Sequence, residues 1–162
     1  MGIPLVLGIG NHQRGDDGLG PAVAQGLRER LAGRLPTLAR LACGAGDAAG
    51  LLSAWESEDS VIVIDAMAAA PGDGRAPVLR LEAARGPLPA LREAASTHGL
   101  GLAEAVELAR SLQRLPQRLV VFAVRGECFE RGAPLSPAAR AALPLAVEAV
   151  AAELESLAAE RG

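Results

Sequence analysis

Short apolar segments alternate along the chain with longer stretches in which apolar residues recur every three or four positions. Residues 4–10 (PLVLGIG) and 60–67 (SVIVIDAM) are almost continuously apolar, which is typical of strands covered on both faces. Residues 37–43 and 117–124 predict two more strands, and residues 76–83 predict a strand at an edge of the sheet. The pattern therefore predicts a five-stranded sheet.

Four other stretches have the spacing of amphipathic helices. They cover residues 17–33, 46–55 and 101–114, and the segment from residue 136 towards the end of the chain. Strands and helices then follow each other in the order β-α-β-α-β-β-α-β-α. This order predicts a single α/β domain over residues 1–162, a three-layer sandwich with helices on both faces of a mainly parallel, twisted sheet that has one antiparallel edge strand.

Individual residues mark where some of these helices begin or are interrupted. Asp47 and Ser136 are suited to N-cap positions, and Pro137 is suited to the first turn of the last helix. Pro144 lies inside that helix and predicts a kink or a break. Residues 84–100 are rich in glycine and proline, and they predict a loop.

Composition excludes several classes of function. The formal net charge is −3, no basic stripe is present, and the chain has two Phe, one Trp and no Tyr, so nucleic-acid binding is not expected. No apolar run is long enough to span a membrane, and the first residues lack the basic region of a signal peptide. Cys43 and Cys128 form no CxxC motif, which favours free thiols in a reducing cytoplasm.

Polar residues follow the predicted strands at the edge where α/β proteins bind ligands. Asp16 and Asp17 come after the first strand, and Asp65 is expected to end the third. His98 lies in the predicted loop, and the segment 125–128 (RGEC) is expected to follow the last strand. The carboxyl ends of the strands therefore bring together acids and a histidine.

The loop after the first strand, GIGNHQRGDDGLG, resembles a phosphate-binding loop but lacks its essential residues. Gln13 stands at the third glycine position of GxGxxG, and the chain contains no lysine for a GxxxxGK motif. Two acids at the start of a helix would repel a phosphate, which binds at helix N-termini. The loop is therefore better suited to a cation than to an anion.

A metal site at Asp17, Asp65 and His98 would combine two carboxylates with one imidazole. This donor set suits zinc, nickel, manganese or iron, and three protein ligands leave a position open for water or substrate. Structural alternatives remain, because acids also favour helix N-termini and His98 could be an exposed loop residue. Asp65, however, follows four apolar residues, and a charge in such surroundings needs a partner.

Four motifs, taken together, resemble those of the hydrogenase maturation endopeptidases. They are GIGNHQRGDDGLG, VIVIDAM, STHGLGLAEAVELA and VVFAVRGECFERGAPLSPAARAALP, which occur in the family order and cover most of the chain. The resemblance implies a cytoplasmic endopeptidase that removes a C-terminal extension from the large-subunit precursor of a nickel-iron hydrogenase after nickel insertion. Matched motif by motif, it assigns the catalytic and metal-contacting roles to Asp17, Asp65 and His98. The family usually has an acid where Arg125 stands.

The resemblance also implies that the precursor supplies the nickel, with the metal as a recognition element. We therefore expect no tightly bound metal or organic cofactor in the free protein. The composition already argues against a nucleic-acid or membrane partner, and we expect a monomer. Whether nickel also polarises the scissile carbonyl or activates a water is left open by the sequence. The alternative function is a non-catalytic, nickel-dependent assembly module that binds the hydrogenase large subunit.

Overall fold

In the computed structural model, which describes residues 1–86 and 100–162, five strands form one sheet in the order β2-β1-β3-β5-β4. Strands β1, β2, β3 and β5 are parallel, whereas β4 is antiparallel to β5 and lies at the edge. The predicted mainly parallel sheet with one antiparallel edge strand is confirmed. The strands are β1 (Leu5–Ile9), β2 (Arg40–Gly44), β3 (Ser60–Ala68), β4 (Val78–Glu82) and β5 (Arg118–Gly126).

Helices cover both faces of this sheet, as predicted. Successive side chains of a strand point to opposite faces of the sheet. Alternate residues of β1, β3 and β5 therefore belong to two separate apolar clusters, one on each face. One cluster is closed by α1 and α5, and the other by α3 and α4. The helices are α1 (Leu19–Leu31), the short α2 (Leu35–Leu38), α3 (Ala48–Trp55), α4 (Leu100–Ser111) and α5 (Pro137–Arg161).

Several predicted boundaries require correction. The segment 37–43 begins as helix α2, and β2 starts only at Arg40. Strand β3 continues to Ala68, so Asp65 lies within the strand rather than at its end. Strand β5 likewise continues to Gly126 and includes Arg125, because β3 and β5 remain paired up to Ala68 and Gly126.

The predicted N-caps are confirmed, and α5 is continuous. Asp47 accepts a hydrogen bond from the Gly50 amide at 3.0 Å, and Ser136 Oγ accepts one from the Ala139 amide at 3.2 Å. Helix α5 runs from Pro137 to Arg161, so a break at Pro144 is absent. Pro144 lies on an exposed face of the helix, where water can bind the carbonyl that the missing N–H leaves without a donor. No helix within the described residues is long and apolar enough to cross a membrane.

Candidate functional site

Asp17 lies in a 3-10 turn, Gly15–Gly18, that joins the first loop to α1. The loop leaves β1 at Gly10, whose φ of +135° favours glycine, and any side chain there would overlap the Asp17 carbonyl oxygen. The backbone amide of Asn11 then donates a hydrogen bond of 2.9 Å to Asp17 Oδ2. These contacts fix the Asp17 carboxylate at the carboxyl end of β1, with only 3% of the residue exposed.

Asp65 lies in β3, the central strand, next to Ala123 of β5 and one residue beyond the pair formed by Ile64 and Gly8. Its Oδ1 accepts a hydrogen bond of 2.8 Å from the Ala66 amide, and 8% of the residue is exposed. Burial raises the pKa of Asp65 to about 7; the Ala66 hydrogen bond opposes this shift, and the negative charge of Asp17 adds to it. The carboxyl group is therefore divided between its protonated and ionised forms near neutral pH.

The structure brings two of the three predicted site residues together. Asp17 follows β1 and Asp65 lies in the neighbouring strand β3, close enough for the negative charge of Asp17 to contribute to the raised pKa of Asp65. His98 lies outside the described residues, and within residues 1–86 and 100–162 no three His, Cys, Asp or Glu side chains form a metal-binding group. Asp17 and Asp65 each accept one hydrogen bond within those ranges, so their remaining lone pairs can bind a cation.

Asp16, the neighbour of Asp17, has a different environment. It is fully buried and accepts four hydrogen bonds of 2.6 to 3.0 Å, from the amides of Glu127, Cys128 and Ser136 and from the Ser136 hydroxyl. Burial acts to raise the pKa of Asp16, but the hydrogen bonds from Ser136, Cys128 and Glu127 outweigh it and hold the pKa below its ordinary value. Asp16 is thus an ionised anchor for the segment 127–136.

Backbone contacts reinforce the same anchor. The Asp16 amide donates to the Cys128 carbonyl at 2.8 Å, and the Gly132 amide donates to the Gln13 carbonyl at 2.7 Å. A side chain at Gly126 would come within 2.8 Å of the Asp16 Cβ, so this position requires glycine. The first loop and the segment after β5 are therefore packed against each other backbone to backbone.

Ser136 is a residue of this region whose second role the sequence did not reveal. Its hydroxyl accepts from the Ala139 amide, as an N-cap does, and donates to Asp16 Oδ2 at 2.6 Å. The cap could be recognised from the Ser-Pro pair at the start of α5. The contact with Asp16 had no local signal, because the two residues are 120 positions apart.

Arg125, which stands where the resembled family usually has an acid, orders the turn that precedes β4. Its guanidinium donates to Asp73 Oδ1 at 2.7 Å, to Glu127 Oε1 at 3.1 Å and to the Ala70 carbonyl at 2.7 Å. Only 12% of its side chain is exposed. Arg125 therefore links the turn at residues 70–75 to the end of β5, and its charge is matched by Asp73 and Glu127.

Comparison with known proteins gives a consistent result for both sequence and fold. A sequence profile of the family described as hydrogenase maturation protease matches residues 43–153. The chain is 31% identical over 154 residues to the hydrogenase 2 maturation protease of Escherichia coli K12, covering 93% of this chain and 89% of that protein.

Solved structures of such proteins have the same fold. The hydrogenase maturating endopeptidase HybD of E. coli superimposes with a TM-score of 0.74 at 25% identity, covering 96% of this chain and 93% of that one. A solution structure of an endopeptidase from E. coli gives a TM-score of 0.78 at 26% identity, with the same two coverages of 96% and 93%. The hydrogenase maturation protease HybD from Thermococcus kodakarensis, at 23% identity, shares the fold with a TM-score of 0.69 and covers 97% of this chain and 99% of its own.

Proposed function

Because the chain belongs to the hydrogenase maturation protease family, we propose that it is an endopeptidase that removes the C-terminal extension from the large-subunit precursor of a nickel-iron hydrogenase after nickel insertion. The observation that supports this proposal is the pair of buried carboxylates at the carboxyl ends of β1 and β3. Within residues 1–86 and 100–162, Asp17 and Asp65 each accept one hydrogen bond, and they lie at the end of the sheet where α/β proteins bind ligands.

The nickel in this proposal is part of the substrate. Asp17 and Asp65 supply oxygen ligands, and His98 is the predicted nitrogen ligand. Carboxylates and imidazole are suitable ligands for nickel. A divalent cation near Asp65 favours the ionised carboxylate, so its binding releases the proton that burial retains on that group. A precursor without nickel would bring no cation to bind the two carboxyl groups or to displace the Asp65 proton, and it would therefore dock less well.

The proposal is tested by incubating the protein with nickel-loaded large-subunit precursor and measuring the precursor's intact mass. We expect loss of a C-terminal peptide with nickel present and none without it. Asp17→Asn, Asp65→Asn and His98→Ala should each reduce the cleavage rate more than about a hundredfold. Asp59→Asn is the matched control, because it makes the same change at an exposed position before β3 and should leave the rate unaltered.

Two outcomes would contradict the proposal. If the protein binds nickel-loaded precursor without any change in its mass, the chain is a nickel-dependent assembly module rather than a protease. If Asp17→Asn or Asp65→Asn cleaves at the wild-type rate, that residue does not belong to the site. Metal analysis after dialysis against a chelator completes the test, since a stoichiometric ion retained by the free protein would mean that the metal is resident.

We also propose that the protein works as a monomer in the reducing cytoplasm. Cys43 and Cys128 are both free, and Cys43 is exposed, which suits a reducing compartment. Size-exclusion chromatography with light scattering tests the oligomeric state. A stable dimer would overturn this part of the proposal while leaving the cleavage assay unaffected.

A further inference from the structure

The turn that carries Asp17 is attached to the sheet on both sides of Asp65. Strand β3 lies between β1 and β5, so Asp65 has β1 on one side and β5 on the other. On the β1 side, the Asn11 amide binds Asp17 Oδ2 at 2.9 Å. On the β5 side, the attachment is made by Asp16 through the amides of Glu127 and Cys128, at 2.7 and 3.0 Å.

The Asp16 carboxylate makes four hydrogen bonds to the segment 127–136. Both carboxylate oxygens are used: Oδ1 accepts from the Ser136 amide at 2.7 Å, and Oδ2 accepts from two further amides and the Ser136 hydroxyl. Charge-assisted hydrogen bonds of this kind are about twice as strong as neutral ones. The backbone of the same residue adds a fifth bond, from the Asp16 amide to the Cys128 carbonyl.

We infer that Asp16 is a positioning residue, which holds the 3-10 turn Gly15–Gly18 against the segment 127–136 and thereby fixes the Asp17 carboxylate opposite Asp65. This inference rests on the proposed function for its catalytic consequence, because Asp17 is the residue that engages the substrate. Asp16 itself does not touch the substrate in this arrangement, since it is fully buried and its oxygens are occupied by donors of the chain.

The substitution Asp16→Asn tests the inference while keeping the shape of the side chain. An amide has one acceptor oxygen, and its NH2 group would face the amides that now donate to Asp16, so the anchor is lost. With the turn free to shift, we expect turnover of the nickel-loaded precursor to fall between about tenfold and a hundredfold, as displacements near 1 Å do in active sites. The fall should appear in kcat rather than KM, at a temperature where the variant is fully folded by circular dichroism.

A second measurement follows the position of Asp17 without any catalysis. The backbone amide of Asn11 donates a hydrogen bond to Asp17 Oδ2, so the backbone Asn11 resonance in a ¹H–¹⁵N correlation spectrum reports on the Asp17 carboxylate. The inference requires this resonance to move in Asp16→Asn. Val150→Ala is the matched control, because it destabilises the core of α5 without touching the turn, and it should leave the Asn11 resonance in place.

Ser136 provides milder variants should Asp16→Asn fail to fold. Ser136→Ala removes one of the four side-chain hydrogen bonds of Asp16, whereas Ser136→Thr retains the hydroxyl. We expect Ser136→Ala to shift the Asn11 resonance and lower kcat severalfold, and Ser136→Thr to restore both. Equal behaviour of the two variants, or an Asp16→Asn protein with wild-type kcat and an unmoved Asn11 resonance, would overturn the inference. A wild-type protein that cleaves nothing refutes the proposed function instead, and the Asn11 resonance still decides the role of Asp16.

Discussion

Asp16 and Asp65 show that burial alone does not determine the ionisation of a carboxyl group. Asp16 is completely buried, yet four donors hold its pKa below the ordinary value. Asp65 is slightly more exposed and accepts one hydrogen bond from the part of the chain that the structure describes, and burial together with the nearby charge of Asp17 raises its pKa to about 7. The number of hydrogen-bond donors therefore separates a structural anchor from a group that can exchange a proton or bind a cation.

The raised pKa of Asp65 predicts a specific dependence of stability on pH. Because the folded-state pKa is about 7 and the unfolded value is near 3.8, the folded state binds the extra proton between these pH values. Stability contributed by this group is thus fully present below pH 3.8 and is lost progressively as the pH rises from there through 7. Asp65→Asn, which cannot ionise, should raise the free energy of unfolding at pH 8 by up to about 4 kcal/mol and change it little at pH 4.

Urea denaturation of wild type and variant at both pH values measures this difference. Asp59→Asn, at an exposed position, should show no such pH-dependent gain. An Asp65→Asn protein that is less stable than wild type at pH 8 would mean that Asp65 is ionised and well solvated in the folded state.

At the residue scale, the sequence predicted Asp17 and Asp65 because each comes after a run of apolar strand residues, and the carboxyl ends of parallel strands meet at one end of the sheet. The sequence selected Asp17 for the site but left the role of Asp16 open, because the donors to Asp16 lie 111 to 120 positions away and leave no local pattern. The role of His98 stays a prediction, since that residue lies outside the described ranges.

At the scale of elements, all five strands were predictable because their apolar runs are covered on at least one face. Their ends were less predictable, since they depend on the neighbouring strand rather than on the local sequence. The charged side chain of Asp65 suggested that β3 ends there, but pairing with β5 extends the strand to Ala68. Helix α2 replaced the first part of a predicted strand, where alternation of apolar residues was outweighed by Pro36 in the first turn of a helix.

Two substitutions of glycine by alanine should have opposite effects on stability, because Gly20 lies where α1 contacts the sheet and Gly33 lies in open space. A Cβ atom at Gly20 would lie 2.7 Å from the Ile64 carbonyl oxygen and closer still to that of Ile9, and both are backbone atoms that cannot move aside. Gly20→Ala should therefore lower the free energy of unfolding by more than about 2 kcal/mol. Gly33→Ala, where no atom lies within 4 Å, should raise it by about 0.4–1 kcal/mol by restricting the unfolded chain.

Urea titrations followed by circular dichroism compare the two variants directly. Since the turn bearing Asp17 immediately precedes α1, Gly20→Ala should also slow cleavage when it is assayed fully folded. A Gly20→Ala protein as stable as the wild type would show that α1 does not approach the sheet as closely as the structure indicates.

At the scale of the whole molecule, the two apolar clusters share the same strands. One face joins α1 and α5 to the sheet, and the other joins α3 and α4 to it. Loss of either helical layer would expose apolar side chains of β1, β3 and β5, which strongly disfavours a state with one layer unfolded. The site lies at an end of this shared sheet, so its geometry depends on both layers.

This shared core predicts that the molecule unfolds as one cooperative unit. Trp55 is the only tryptophan and the chain has no tyrosine. This residue of α3 is buried in the apolar cluster that α3 and α4 close, so its fluorescence reports on that layer. Far-UV circular dichroism is sensitive to helices on both faces, including the 25-residue α5 on the opposite one. We expect the urea midpoints of the two signals to coincide.

Two core variants test the coupling between the layers. Leu51→Ala in the Trp55 layer should lower the free energy of unfolding by about 2–5 kcal/mol and move both midpoints to lower urea together. Val150→Ala in α5 should also shift both midpoints. A fluorescence midpoint below that of circular dichroism, or a Leu51→Ala effect confined to fluorescence, would mean that the α3–α4 layer unfolds separately and that the chain is not a single cooperative domain.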